Sequence, residues 1–190
     1  MTDSKLKVGI VTGSTRPGRK AEAVAQWVLD IANTRGDADF ELVDIASFNL
    51  PLLDEPAPPS MGEYQHNHTK AWAHKIASLD AFIFVTPEYN HGTSAALKNA
   101  LDFIYAEWNN KSAGFVGYGT VGGSRAIEHL RGHMGELQVA DVRAQVNLTL
   151  AEDFEHWTVL KPRTQHAGAV NTLLNQVVGW GKALKAAYRP

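Results

Sequence analysis

The stretch Lys7–Thr12 reads KVGIVT and breaks straight into Gly13-Ser14-Thr15-Arg16-Pro17-Gly18-Arg19-Lys20. A short β-type run ends at a glycine, and hydroxyls, backbone N–H groups and cations follow before a helical pattern begins at Lys20. That arrangement suits a phosphate. The first N–H groups of a helix lack intrahelical partners and the helix dipole is positive there, so an anion is favoured; Ser14, Thr15 and Arg16 would add charge-assisted hydrogen bonds. Surface loops often carry Gly, Ser and Arg, so the reading depends on context: this loop follows the first strand of an α/β pattern.

Outward from that loop, strand and helix signals alternate. Lys20–Thr34 puts Val24, Trp27, Val28 and Ile31 on one helical face, and Gly36 in Arg35-Gly36-Asp37 stands just past its end. Phe40–Ile45 alternates as a second strand, Pro51–Pro59 is a proline-rich loop, and His66–Leu79 predicts a helix. Ala81–Thr86 (AFIFVT) is continuously apolar, as a central parallel strand buried on both faces must be. Thr93–Ile104 predicts a helix with Leu97, Ala100, Leu101 and Ile104 in phase; Ser112–Tyr118 a fourth strand; Gly123–Met134 a helix; Val142–Leu148 a fifth strand. A terminal helix over His166–Ala187 contains Gly179 and Gly181, which argue against its continuity. The pattern predicts an α/β fold: a doubly wound, five-stranded parallel sheet with helices on both faces. Periodicity alone leaves the flavodoxin-like strand order 2-1-3-4-5 and the Rossmann order both open. In either, a ligand sits beyond the carboxyl ends of the strands.

A chain of 190 residues is expected to form one domain over 1–190 that buries about 70% of its unfolded surface. A net charge of −2 gives nucleic acid no purchase, and no segment approaches the ~18 apolar residues of a membrane span. The short polar start, MTDSKLK, lacks the apolar core of a signal peptide, so the cytoplasm is expected. The chain has no cysteine, which excludes thiolate catalysis and thiolate-bound metal; redox chemistry must then come from a bound cofactor.

Two further loops complete the rim. After the third strand come Thr86-Pro87-Glu88-Tyr89-Asn90-His91-Gly92, offering an aromatic face, an amide and backbone donors to a flat heterocycle, with Gly92 free to approach closely or take positive φ. After the fourth come Gly117-Tyr118-Gly119-Thr120-Val121-Gly122-Gly123-Ser124-Arg125, whose scant side chains let backbone lie against a planar ligand. Together GSTRPGR, TPEYNHG and the G-x-G-x-x-G-G-x-R run resemble the NADPH-dependent FMN reductase family, which includes quinone, chromate and azo-dye reductases. The resemblance extends over nearly the whole chain, with PEYN its most specific piece.

The resemblance implies a flavodoxin-like fold of order 2-1-3-4-5, bound FMN, NADPH or NADH as reductant, a small-molecule electron acceptor, and a homodimer or homotetramer. It assigns Gly13, Ser14, Thr15, Arg16, Arg19, Lys20 and Ala21 to the FMN phosphate. Pro87, Glu88, Tyr89, Asn90, His91 and Gly92 would line the isoalloxazine, and Gly117, Tyr118 and Gly119 its other edge. Backbone N–H groups from Asn90 to Gly92 would face the flavin's N1 and C2 oxygen. No catalytic side chain is implied, since flavin N5 carries the hydride, and no metal. One departure stands out: many relatives place a Ser or Asn around Lys20–Glu22 to close the phosphate site, where this chain offers Arg19, Lys20 and Ala21. A flavodoxin-type electron carrier is the alternative; such carriers are strongly acidic and shield the flavin with aromatics, unlike this chain. The helices bearing Trp72 and Leu97–Ile104 are the expected subunit contacts. His66, His68 and His74 read as surface histidines, and Arg125 as either a helix start or a group reaching a neighbouring flavin.

Overall fold

The computed structural model describes residues 5–188. Five strands, β1 (Lys7–Thr12), β2 (Asp39–Asp44), β3 (Ala81–Pro87), β4 (Lys111–Gly119) and β5 (Val139–Thr149), form one parallel sheet in the order β2-β1-β3-β4-β5. That order is the flavodoxin-like one and closes the choice that periodicity left open. β3 and β4 are buried at every position, because neighbours pair both their edges and helices cover both their faces.

Alternation along the strands divides the core into two layers. Val8, Ile10, Ile83, Val85, Val116 and Tyr118 face α1 (Ala21–Asn33) and the terminal helix α6 (Gln165–Tyr188). Val11, Phe82, Phe84 and Phe115 face α2 (Asn67–Ala77), α3 (Ala95–Asp102) and α4 (Ser124–Glu136), and Trp72 and Trp108 fill the space between. Trp72, Leu97, Leu101 and Ile104 are therefore at most 1% exposed. They belong to the core of this chain, so any subunit contact made by these helices would use their outer faces.

The terminal helix runs unbroken through both glycines. At Gly181 a Cβ would stand 2.9 Å from Leu6 Cδ2 and 3.0 Å from Ser112 Oγ, so the missing side chain lets α6 lie close on the sheet. This contact outweighs the ~1 kcal/mol that a mid-helix glycine costs. Between β5 and α6 lie a short turn of helix, α5 (Leu150–Asp153), and a hairpin of β6 (Phe154–Glu155) and β7 (Val159–Leu160). Buried Asp153 holds this region, accepting from Thr149 N–H at 2.8 Å and Arg163 Nε at 3.0 Å. Among the described residues no helix is long and apolar enough to cross a membrane.

Candidate cofactor site

Parallel strands deliver their following loops to one rim, so residues 13–20, 88–94 and 120–123 meet there. The first loop turns sharply. Gly13 N–H donates to Val85 O at 2.9 Å, and a Cβ on Gly13 would stand 2.6 Å from that oxygen, so only glycine fits. Ser94 Oγ donates to Gly13 O at 2.6 Å and accepts from Leu97 N–H at 3.0 Å, tying this loop to the start of α3.

Ser14 is 1% exposed, yet its hydroxyl has only long contacts: 3.5 Å to Tyr89 Oη and 3.4 Å from Arg16 N–H. Thr15 and Arg16 are exposed. The Arg16 guanidinium lies 5.8 Å from the Tyr89 ring centre, and among the described residues it forms no ion pair. Lys20 precedes α1 and offers no side-chain cap, and Ala21 opens the helix fully buried. Arg19 differs from Arg16. Its side chain is 10% exposed, and its guanidinium bonds Asp44 Oδ2 at 2.6 Å and Glu22 and also donates to the Ser14 carbonyl. It braces the loop from behind.

The loop after β3 is a two-residue turn. Tyr89 and Gly92 exchange backbone hydrogen bonds of 2.9 and 3.0 Å, with Asn90 (φ 50°) and His91 (φ 70°) left-handed between them. Positive φ thus falls on Asn90 and His91 and not on Gly92, whose N–H the turn itself uses. Of the three backbone donors expected here, those of Asn90 and His91 stay without a partner among the described residues. Pro87 ends β3 paired with Tyr118, and Glu88 N–H donates to Tyr118 O at 3.1 Å.

The loop after β4 is pressed against its neighbours. Gly122 (φ 72°) and Gly123 (φ 75°) are both left-handed, and a Cβ on Gly117 would stand 2.7 Å from Gly122 O. Asn147 on β5 holds the turn by donating to Gly122 O at 2.9 Å. A Cβ on Gly119 would meet Glu88 Cβ at 3.3 Å, which brings the second and third loops together. The Tyr118 ring packs 6.2 Å from Phe154, and its hydroxyl lies toward the Ala21 N–H at the start of α1. Burial, then the neighbouring Tyr89, push the Tyr118 phenol well above its ordinary range, so it stays protonated.

Sequence reasoning missed Asp44, Ser94 and Asn147. Ser94 had a readable signal, a serine immediately before a helical apolar pattern. Asn147 had none, because its partner lies 25 residues away. A cleft of ≈ 430 Å³ beside Thr15, lined by Ile45, Asn49, Leu50, Ala96 and Asn99, was also not foreseen. His66 and His68 stack at 5.2 Å beside Asp54, and among the described residues no cluster of three or more metal-binding side chains forms.

A buried serine, an unpaired arginine and an uncapped helix start on a flavodoxin-like rim fit a phosphate carried by a flat ring system. The sequence profile described as NADPH-dependent FMN reductase matches residues 6–153. The chain belongs to the NADPH-dependent FMN reductase family. It is an FMN-dependent oxidoreductase that draws on NAD(P)H, and the flavodoxin-type carrier reading gives way to it. Among relatives, an NAD(P)H-dependent FMN reductase of Schizosaccharomyces pombe is 40% identical over 167 residues, covering 85% of this chain and 84% of that one. A 2-hydroxy-1,4-benzoquinone reductase of a Burkholderia species is 31% identical over 141 residues, covering 70% and 73%. The flavoenzyme NAD(P)H:(acceptor) oxidoreductase of Paracoccus denitrificans shares the fold, with a TM-score of 0.73 at 20% identity over 94% of this chain and 98% of that one.

Proposed function

We propose that this FMN reductase family member passes electrons from NAD(P)H to free flavin, quinones or related small acceptors through one FMN site built across the whole chain. The observation that carries the reading is the start of α1, where Arg16, Ser14 and an uncapped helix N-terminus converge without a carboxylate partner for Arg16. Gly13, Ser14, Thr15, Arg16, Lys20 and Ala21 would surround the phosphate. Arg19 serves by holding the Ser14 carbonyl and anchoring the loop to Asp44. The Tyr118 hydroxyl, already at Ala21 N–H, takes the place of the Ser or Asn that many relatives carry around Lys20–Glu22.

FMN, when bound, supplies the two-electron chemistry, so the chain needs no nucleophile or strong base of its own. Pro87 to Gly92 would form the floor beneath the ring, with Asn90 and His91 N–H free to donate to its polar edge. Gly117, Tyr118 and Gly119 would border the other side and leave one face open to nicotinamide and acceptor in turn. Self-association into a dimer or tetramer belongs to this reading, supported by Leu52 and Met61, which are 82% and 65% exposed between β2 and α2. A cytoplasmic setting, where NAD(P)H is generated, goes with it.

The test is an absorption spectrum of the purified, FMN-saturated, desalted protein before and after anaerobic NADPH. The expected result is a yellow protein whose visible band bleaches and returns when a quinone is added. A protein that stays colourless overturns the reading.

A further inference from the structure

Arg125 sits at the second position of α4 with three of its donors committed. Its backbone N–H reaches Glu88 Oε2 at 3.1 Å, its Nε reaches Glu88 Oε1 at 2.6 Å, and its Nη2 pairs with the same oxygen. The Glu88 side chain is only 6% exposed, so it holds the guanidinium firmly by its Nε and Nη2 edge. The remaining nitrogen, Nη1, is thereby directed at His91 Nε2 at 2.7 Å. A guanidinium has donors and no acceptor, so the imidazole nitrogen facing it must accept. His91 therefore carries its ring hydrogen on Nδ1. His91 itself is exposed and stands at the tip of the turn after β3.

We propose that His91, held in the Nδ1–H tautomer by Arg125 and Glu88, donates a hydrogen bond to a carbonyl oxygen of the electron acceptor and so selects for quinones. The inference rests on the function proposed above. When a hydride originating from NAD(P)H enters a quinone, the carbonyl π electrons move onto oxygen, and the product is a hydroquinone monoanion. The Nδ1–H bond strengthens as that negative charge grows. The proton that completes the hydroquinone comes from water. His91 keeps its own, since releasing Nδ1–H from a ring with a bare Nε2 would leave an imidazolate. Arg125 and Glu88 act as positioning residues.

Two measurements test the idea. The first needs no cofactor: ring ¹⁵N spectra of the protein without FMN, with the His91 signal assigned by its loss in His91→Phe. Wild type should show a pyrrole-type Nδ1 and a pyridine-type Nε2, and Arg125→Met should abolish that preference. The second compares, in FMN-loaded His91→Phe, turnover with a benzoquinone and with ferricyanide, which has no carbonyl. The quinone rate should fall about tenfold more than the ferricyanide rate. A wild-type His91 protonated on Nε2, or equal losses with both acceptors, overturns the proposal. Failure of the parent reading looks different: wild type would then oxidise NAD(P)H with neither acceptor, and both proposals fall.

Discussion

The Glu88 carboxylate occupies the N-terminus of α4, accepting the Arg125 backbone N–H at 3.1 Å and its side chain at 2.6 Å. Three helices begin beside the glycine-bearing loops of this rim, each with a dipole that favours an anion, and Ser94 caps the start of α3. At α4 the protein's own carboxylate fills that role. At α1 the N-cap residue Lys20 offers no side-chain cap, and neither Lys20 nor Arg16 forms an ion pair among the described residues. On the proposed reading, the phosphate would go to α1 and the ring system toward the loops after β3 and β4.

Arg16 and Arg19, three residues apart, should respond differently to substitution. Arg16→Ala removes a charge-assisted contact to phosphate and should weaken FMN binding by roughly 1.5–3 kcal/mol, with the melting temperature of the FMN-free protein little changed. Arg19→Met cuts the ties to Asp44 and the Ser14 carbonyl and should lower both FMN affinity and the stability of the FMN-free protein. Calorimetric titration beside thermal melts separates the two. Equal FMN affinity in Arg16→Ala and wild type would remove Arg16 from the site.

Tyr118→Phe keeps the ring against Phe154 but removes the hydroxyl that lies toward Ala21 N–H and, on the proposed reading, the phosphate. A neutral hydrogen bond is worth about 1 kcal/mol, so FMN affinity should drop about fivefold. Arg16→Ala with Tyr118→Phe should show coupling in a double-mutant cycle, because both groups would meet one phosphate. Strict additivity would place the hydroxyl outside the phosphate site.

Gly92 offers a cleaner test of where the flavin ring lies. A Cβ there would meet nothing closer than Tyr89 O at 3.8 Å and His129 Nδ1 at 3.9 Å, so the FMN-free protein has room for a side chain. Gly92→Val should fold with a near-native circular dichroism spectrum yet fail to retain FMN on desalting. A variant as yellow as wild type would show that the ring lies elsewhere.

These contrasts mark what the sequence could express. The continuous apolar run Ala81–Thr86 and the strand-glycine-helix opening were readable because burial and capping are local properties. Strand order was not, since periodicity records which residues are buried and not which strands are neighbours. Arg16 and Arg19 look alike in sequence; Asp44, brought alongside by the parallel pairing of β1 and β2, is what marks Arg19 as the brace and leaves Arg16 without an ion pair among the described residues. The same holds for Arg125, which does start a helix as the sequence suggested, but whose partners Glu88 and His91 come from another loop. Gly92 attracted the expectation of positive φ because glycine adopts it most easily, yet Asn90 and His91 bear it, as the two central positions of a tight turn require.

The segment between β2 and α2 should respond to acid through Glu55. Its carboxylate accepts Gln65 N–H at 2.8 Å and His66 N–H at 3.0 Å. Burial opposes its ionisation, but the nearby Thr69 hydroxyl, these hydrogen bonds and the nearby His66 prevail and pull its pKa down to about 2. A carboxylate depressed on folding binds fewer protons in the native state than in the unfolded state, so its contribution is complete above the ordinary carboxylate range and is lost as the pH falls from about 4.3 toward 2. Urea unfolding of wild type and Glu55→Gln at pH 7 should therefore show wild type the more stable, with the gap narrowing at pH 4 and nearly closed by pH 2.5. The comparison between variants cancels the other carboxylates that titrate in the same window, including Asp153. A gap that stays constant across this range would mean that Glu55 gains nothing from its charge in the folded chain.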